Sequence, residues 1–294
     1  MADISATDVK NLRERTGAGM MECKKALVEA NGDMALAEEL IAKAGSRRVQ
    51  KTADRTAAEG LILAQVNPDQ KSGALIEVNC ETDFVTRATD FKEFCQKLVH
   101  VVAQAKNDNL ESIKSMPIDN QQTVEEARQA LVAKIGENIQ FRRAQIVHAH
   151  QGVVGSYVHN DRIGVLVVIS TNNEKLAKDL AMHTAAMRPQ FVKPEDVPQT
   201  IVEKEKEIFI ARAAESGKPA NIVEKMIEGQ VKKFVNEICL IGQPFIKDPD
   251  KQISQLLKEH NTTVESMIRF EVGEGIEVVK KSFQEEVMEQ ARRS

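Results

Sequence analysis

The end of one predicted strand carries the side chains in this sequence that are best suited to chemistry. Residues 77–86 have the sequence EVNCETDFVT. Cys80 with Asp83 nearby would be a nucleophile only if a base activated the thiol, and the sequence places no histidine to serve as that base. Alternatively, Thr82 or Asp83 is the N-cap of a helical turn whose Phe84 points inward. In a third interpretation, Asp83 and Phe84 form a tip that brings an apolar anchor and a carboxylate to the centre of a protein interface.

A second segment combines cationic and thioether side chains at the start of a predicted helix. Residues 12–21 have the sequence LRERTGAGMM. Met20 and Met21 are adjacent, so they cannot both enter a small core, and we expect one of them to be exposed beside Arg13. This composition is common in contact patches, although an incidental surface methionine would give the same pattern.

The histidines are dispersed along the chain rather than clustered. His148 and His150 alternate as strand residues would, and a surface pair is a more common origin for this pattern than a metal site. His183 falls on the apolar face of a predicted helix, which indicates a packed core histidine. His159 follows Tyr157 at a predicted hairpin turn, so we expect it to be exposed and available to a partner.

Motifs for nucleotide or zinc binding are missing from the sequence. No segment fits the phosphate-binding loop G-x-x-x-x-G-K-[ST], and no G-x-G-x-x-G follows a predicted strand. Gly273 and Gly275 form a lone G-x-G, which is typical of a turn. No H-E-x-x-H or paired Cys/His spacing suits zinc. We therefore expect no cofactor, no resident metal and no catalytic residue.

Composition narrows the class of protein further. The 294 residues contain 40 Lys and Arg against 44 Asp and Glu, a formal charge of −4, which argues against nucleic-acid binding through bulk positive charge. Trp is absent and Tyr occurs once, so a platform for stacking bases is not expected. The four cysteines are scattered without a C-x-x-C pair, which indicates reduced thiols and a cytoplasmic location. No apolar run approaches the ~20 residues of a membrane span, and no signal-peptide pattern opens the chain.

The elements that must position these residues begin with a small helical unit. Residues 1–45 predict three short helices, the first starting at a capping box formed by Ser5 and Asp8. The sequence TGAG over residues 16–19 breaks that helix, and the third helix is expected to stop at Gly45. The polar and basic residues that follow lack apolar periodicity, so residues 46–59 are predicted to be a linker.

Downstream, the order strand, turn, strand, helix occurs twice. This repetition predicts an α+β fold whose core consists of two related subdomains, because a doubly wound sheet would need strand–helix alternation throughout. The predicted strands cover residues 60–66, 74–78, 153–158 and 165–169, and the helices that follow them cover residues 91–102 and 176–187. The subdomains are predicted to span residues 60–150 and 151–265.

Two further units complete the predicted organisation. Residues 200–240 are predicted to be a helical hairpin broken at the sequence SGKP, and their thin apolar stripe is typical of a projecting coiled-coil arm. Residues 266–294 are predicted to be a C-terminal module with a strand-like start and a charged helix at the end.

Three segments together resemble the bacterial elongation factor Ts family. They are LRERTGAGMMECKKAL at residues 12–27, EVNCETDFV at residues 77–85 and IRFEVGEGIE at residues 268–277. The likeness spans the whole chain in order, and no motif position departs from the family pattern. It implies an N-terminal ubiquitin-associated-like three-helix domain, the two core subdomains, the coiled-coil hairpin and the C-terminal module.

The resemblance also implies a function and the residues that carry it. Family members are guanine nucleotide exchange factors that bind elongation factor Tu in its GDP-bound and nucleotide-free states, without covalent chemistry. By this resemblance, Thr82, Asp83, Phe84 and Val85 would enter the GTPase domain of elongation factor Tu and help to dislodge its Mg²⁺. Arg13, Met20, Met21 and the C-terminal module would touch the same domain, and the hairpin tip with His159 would meet another domain of the partner.

Two other classes of protein remain as alternatives. An enzyme centred on Cys80 would lose its activity when Cys80 is replaced by serine, whereas an exchange factor should tolerate that change. An RNA-binding accessory factor of translation would bind RNA with a steep salt dependence, which the net negative charge makes unfavourable. Neither a membrane nor direct contact with nucleic acid is expected.

Overall fold

The computed structural model describes residues 4–105, 107–214 and 220–277. The helices are α1 (Ala6–Thr16), α2 (Met20–Glu29), α3 (Met34–Thr52), α4 (Asp83–Arg87), α5 (Thr89–Gln104), α6 (Leu110–Lys114), α7 (Val124–Ile135), α8 (Glu174–Met187), α9 (Gln199–Ala214), α10 (Ala220–Ile238) and α11 (Ile253–Glu259). The strands are β1 (Glu59–Val66), β2 (Ser72–Cys80), β3 (Gln140–His148), β4 (Val153–His159), β5 (Ile163–Ile169), β6 (Pro244–Phe245), β7 (Asp248–Gln252) and β8 (Val264–Glu271). This mixture confirms the α+β class.

The N-terminal helices form where the sequence predicted them, and the last of them is longer than expected. The capping box of Ser5 and Asp8 starts α1, and Gly17 ends it with a left-handed φ of 68°. Leu12 and Leu27 lie in a small core shared by the three helices.

The prediction that the third helix stops at Gly45, with a linker from residue 46, is wrong for residues 46–52. Helix α3 continues to Thr52. Gly45 lies in its interior because the helix passes close to α7, where a Cβ on Gly45 would be 3.0 Å from the Cβ of Ala133. Arg48 of α3 donates to the Ala133 carbonyl of α7 and to the Glu22 carboxylate of α2, the latter at 3.1 Å. A glycine and an arginine add no apolar periodicity to the sequence, which is why the pattern missed this part of the helix.

The core consists of two antiparallel three-stranded sheets, as the strand, turn, strand, helix repetition predicted. Their strand orders are β1-β2-β3 and β4-β5-β8. Helix α5 packs on the first sheet through Phe91 and Leu98, and α8 packs on the second through Leu176 and Leu180. The third strand of each sheet, β3 in the first and β8 in the second, was not predicted to belong to that sheet. In particular, β8 completes the second sheet, whereas the predicted boundary after residue 265 placed it in a separate C-terminal module.

The two sheets pack against each other and are joined by a buried carboxylate. Ile62 and Leu75 of the first sheet share a core with residues of the second, and Gly164 allows the approach because a Cβ there would be 2.3 Å from Ile62. The side chain of Glu77 is fully buried. It accepts hydrogen bonds from Arg143 at 2.5 Å and from the Gly273 amide at 2.8 Å. One carboxylate therefore ties the first sheet to the turn that follows the second.

The remaining predictions concern the arm and the C-terminus. Helices α9 and α10 pack against each other, as the hairpin prediction requires. The predicted break at residues 216–219 and the predicted charged C-terminal helix lie outside the described residues. Within the helices that the structure describes, none combines the length and apolar composition that a membrane crossing requires. The division of the chain into domains stays a prediction.

Candidate functional site

The segment with the mixed reactive and apolar side chains forms a short helix directly after β2. Thr82 stands at the N-cap position of α4, with extended backbone at φ −126° and ψ 155°. Phe84 is 75% exposed, whereas the next residue, Val85, is only 6% exposed and belongs to the core of the first subdomain. The hypothesis that Phe84 points inward is therefore wrong. We call residues 81–87, which carry the exposed Phe84, the tip.

The tip is held by hydrogen bonds from the loop that follows α7. The Thr82 amide and hydroxyl both donate to the Glu137 carboxylate, at 3.0 and 2.7 Å. In return, the Asn138 amide donates to Glu81 at 2.7 Å. The side chain of Thr82 makes no capping hydrogen bond within α4. Thr82 is thus an N-cap by backbone position, while its side chain fastens the tip to a second loop.

Asp83 lies at the base of the tip with its carboxylate near the surface. Its Oδ2 accepts from Arg87 at 2.7 Å, four residues later on α4, and both side chains are substantially exposed. The Asp83 carbonyl accepts from the Thr86 hydroxyl at 2.6 Å. An exposed ion pair of this kind contributes little to stability. The carboxylate is therefore free to exchange Arg87 for another polar group.

Cys80 does not have the environment of a nucleophile. The thiol is buried and donates to the Thr82 carbonyl at 3.2 Å. Burial, followed by the nearby carboxylates of Glu137 and Glu59, raises the pKa of Cys80 to about 12. At neutral pH the sulfur stays protonated, and only the thiolate is an effective nucleophile. The hypothesis of a Cys80-centred site finds no support here.

The N-terminal residues singled out by the sequence lie on the surface of the helical unit. Met20 and Met21 are 47% and 78% exposed, so both of the adjacent methionines face outward rather than one. Arg13 is exposed on α1. The buried positions of this unit are filled by other residues, including Leu12 and Cys23.

His159 is exposed at the turn between β4 and β5, as expected. Its ring lies between the Tyr157 hydroxyl at 3.1 Å and the Asn160 amide at 3.3 Å. Arg162, just beyond this turn, pairs with Glu59 at 2.6 Å, and Glu59 lies opposite Cys80 in the first sheet. The structure therefore brings the His159 turn and the tip to the same end of the two sheets.

Other sequence predictions about single residues can also be compared with the structure. His183 is a packed core histidine, as predicted, with Nε2 2.9 Å from the Gln243 Oε1. Burial lowers the pKa of His183. Gly273 and Gly275 form a turn with φ of 74° and 78°. Among the described residues, no group of three or more His, Cys, Asp or Glu side chains could hold a metal ion.

Glu137 is the site residue that the sequence analysis missed. It follows Gly136, which ends α7 with a left-handed φ of 86° and turns the chain toward the tip. A glycine at the end of a helix is visible in the sequence, but its direction in space is not. Nothing in the pattern predicts that residues 82 and 137 are in contact.

The fold and this site define a mixed α+β protein with two docked three-stranded sheets, a helical arm and an exposed aromatic tip. Comparison with known proteins gives the family. The family model described as "Elongation factor TS" matches residues 81–274. The protein named Elongation factor Ts from Photorhabdus laumondii is 51% identical over 98% of each chain. Its namesakes from Cronobacter sakazakii and Legionella pneumophila (strain Philadelphia 1) are 50% and 49% identical, covering 100% and 99% of this chain and all of their own. The chain belongs to the elongation factor Ts family and is a translation elongation factor.

Proposed function

We propose that the protein is a guanine nucleotide exchange factor for elongation factor Tu and that the tip acts on the GTPase domain of that partner. The observation that carries the proposal is Phe84, a large aromatic side chain that is 75% exposed on a short, well-anchored helix. An aromatic residue in this state gains most when a partner pocket takes it out of water. Thr82 and Val85 hold it from below, through Glu137 and the core respectively.

In the proposed mechanism, Phe84 inserts apolar surface between elements of the GTPase domain. Asp83, whose present partner is the exposed Arg87, competes for polar groups that organise the Mg²⁺ site of the GTPase. Because Mg²⁺ bridges the nucleotide phosphates to that protein, its displacement weakens GDP binding. Linkage requires GDP to weaken the binding of the exchange factor by the same factor, and GTP then refills the empty site by mass action.

The remaining contact residues extend this interface. Arg13, Met20 and Met21 would contact the GTPase domain from the helical unit, and His159 would contact another domain of the partner. Their exposure on the surface and the placement of the His159 turn beside the tip support this arrangement. No residue of the protein forms or breaks a covalent bond in this mechanism, and no cofactor is required.

The test measures release of a fluorescent GDP from elongation factor Tu by stopped flow as the protein is titrated. Phe84→Ala should raise the concentration needed for half-maximal release about thirtyfold, because truncation of a buried interface aromatic costs ~2 kcal/mol. Its melting temperature should not change, since the side chain is exposed. Ile246→Ala is the matched control, because Ile246 is also an exposed large apolar residue, 41% exposed between β6 and β7.

Two outcomes would overturn the proposal. Phe84→Ala could accelerate release as well as the unchanged protein does, or the unchanged protein could fail to accelerate release at all. In the second case, steeply salt-dependent RNA binding would favour the alternative of an RNA-binding accessory factor. Cys80→Ser should keep full nucleotide exchange activity. Loss of this activity in a folded Cys80→Ser variant would favour the alternative of an enzyme centred on Cys80.

A further inference from the structure

The contacts of Thr82 differ from those of a partner-binding residue. The hydroxyl and amide of Thr82 both donate to Glu137, at 2.7 and 3.0 Å, so the two hydrogen-bond donors of this residue are already occupied. Hydrogen bonds to an ionised carboxylate are about twice as strong as neutral ones. The bonds to Glu137 would have to break before Thr82 could donate a hydrogen bond to a partner.

The position of Glu137 in the fold suits a support for the tip. The residue lies in the loop after α7. The side-chain amide of its neighbour Asn138 donates to the carbonyls of Ala53 and Arg55, at 3.1 and 2.6 Å. The backbone N–H of Asn138 also donates to the Glu81 carboxylate, at 2.7 Å. The two loops are therefore fastened to each other in both directions, on either side of the start of the tip.

We propose that Glu137 is a positioning residue for nucleotide exchange, which holds the Asp83–Phe84 pair in its partner-binding orientation by accepting both hydrogen bonds from Thr82. This inference rests on the proposed function of the tip and assigns Thr82 to internal support instead of partner contact. The expected gain is in preorganisation: a tip already fixed in the bound orientation does not lose that freedom on binding.

Three single variants test the proposal. Glu137→Ala removes both hydrogen bonds from Thr82, and Thr82→Val removes the one from its hydroxyl. Each variant should raise the half-maximal concentration for GDP release about tenfold, equivalent to about 1.4 kcal/mol. Thr82→Ser keeps both donors and should stay within about twofold of the unchanged protein. If Glu137→Ala fails to fold, Thr82→Val and Thr82→Ser still decide the question.

The chain offers a matched control at the start of α7. Thr123 also donates its amide and its hydroxyl to a single glutamate, Glu126, at 2.8 and 2.9 Å. Glu126→Ala therefore removes the same chemistry from a helix cap that is not part of the tip. It should lower the melting temperature without changing the half-maximal concentration for GDP release.

Hydrogen exchange gives a measurement that needs no partner. Amide exchange in the peptide covering residues 81–87 should become faster in Glu137→Ala and stay unchanged in Glu126→Ala. Unchanged protection of this peptide in Glu137→Ala would overturn the positioning role, whatever the effect of the variant on GDP release.

Combined variants separate this inference from the proposed function. In a Phe84→Ala background, Glu137→Ala should add less than about threefold, because the support acts through the aromatic side chain. A full additional tenfold loss would show that Glu137 acts independently of Phe84 and would overturn the inference. Loss of activity in Phe84→Ala with normal activity in Glu137→Ala would defeat the inference alone, whereas normal activity in Phe84→Ala would defeat the proposed function.

Discussion

The connection that follows the central strand differs between the two subdomains. In the first, β2 ends at Cys80 and Phe84 stands four residues later, exposed on α4. In the second, β5 ends at Ile169 and Asn173 stands at the same offset. There Asn173 caps α8 by accepting from the Leu176 amide at 3.1 Å.

The neighbouring side chains tie each connection to its own subdomain. Ser170 accepts from the Thr263 amide at 2.9 Å, and Thr171 donates to the Thr262 hydroxyl at 2.9 Å, so the second connection is tied back onto its own subdomain. In the first connection the cap position is occupied by Thr82, whose side chain donates to Glu137 of the first subdomain. The same supersecondary arrangement thus carries an exposed aromatic side chain in the first connection and a capping amide in the second. Under the proposed function, the functional difference lies in the loop rather than in the fold.

Both connections extend from the same pair of packed sheets. A substitution of Glu77 should have the largest effect on the free energy of unfolding of these sheets. Glu77→Ala would leave Arg142 and Arg143 without the carboxylate they share at 3.0 and 2.5 Å. Loss of one member of a buried ion pair typically costs about 3–5 kcal/mol. Urea unfolding should show a decrease of that size in the free energy of unfolding.

Glu59→Ala is the matched control for this prediction. The arginine partners of Glu77 lie on β3 of the first sheet, whereas Glu59 pairs with an arginine of the second subdomain, Arg162 at 2.6 Å, and both of these side chains are exposed. Exposed pairs contribute at most about 1 kcal/mol. If both variants lost the same stability, the buried carboxylate would not be the joint between the sheets.

Asn173→Ala sharpens the comparison, because it should produce the reverse of the Phe84→Ala result. Removal of an N-cap side chain costs ~1 kcal/mol, so the melting temperature should fall by a few degrees. GDP release at temperatures where the variant is folded should be unchanged. Asn172→Ala, at the exposed neighbouring position, serves as the control, and a specific loss of exchange in Asn173→Ala would contradict the functional difference between the two connections.

Asp83→Asn should have a small effect on GDP release, and this effect should depend on Mg²⁺. The substitution keeps size and most hydrogen-bonding capacity but removes the charge, so we expect a decrease in GDP release smaller than that of Phe84→Ala. Chelation of Mg²⁺ before mixing should narrow the difference from the unchanged protein if the carboxylate acts through the metal site of the partner. Much of the Phe84→Ala defect should remain under the same conditions.

Arg87→Ala completes this experiment. It removes the present partner of Asp83 and leaves the carboxylate in place. Exchange should not be weakened by it. An equal loss in Asp83→Asn and Arg87→Ala would indicate that the ion pair within α4, and not the carboxylate, is what matters.

Local pattern was sufficient for most single elements. The capping box at Ser5, the strands of both hairpins and the buried faces of α5 and α8 were predicted, because each depends on residues close together in the sequence. The same approach failed at α3 beyond Gly45, where the helix is stabilised by a close approach to α7. It also failed to place β8, whose partner β5 is far away in sequence.

The sequence by itself determined the α+β class, the two-fold repetition of strand, turn, strand and helix, and the family to which the chain belongs. It also singled out residues 82–85 as unlike scaffold, but it left three interpretations open. Only the tertiary structure decided that Phe84 faces solvent, that Cys80 is a buried and protonated thiol, and that Thr82 is held by Glu137. The physical reason is that exposure, thiol pKa and hydrogen bonding at the tip depend on groups such as Glu59 and Glu137, which only folding brings beside it.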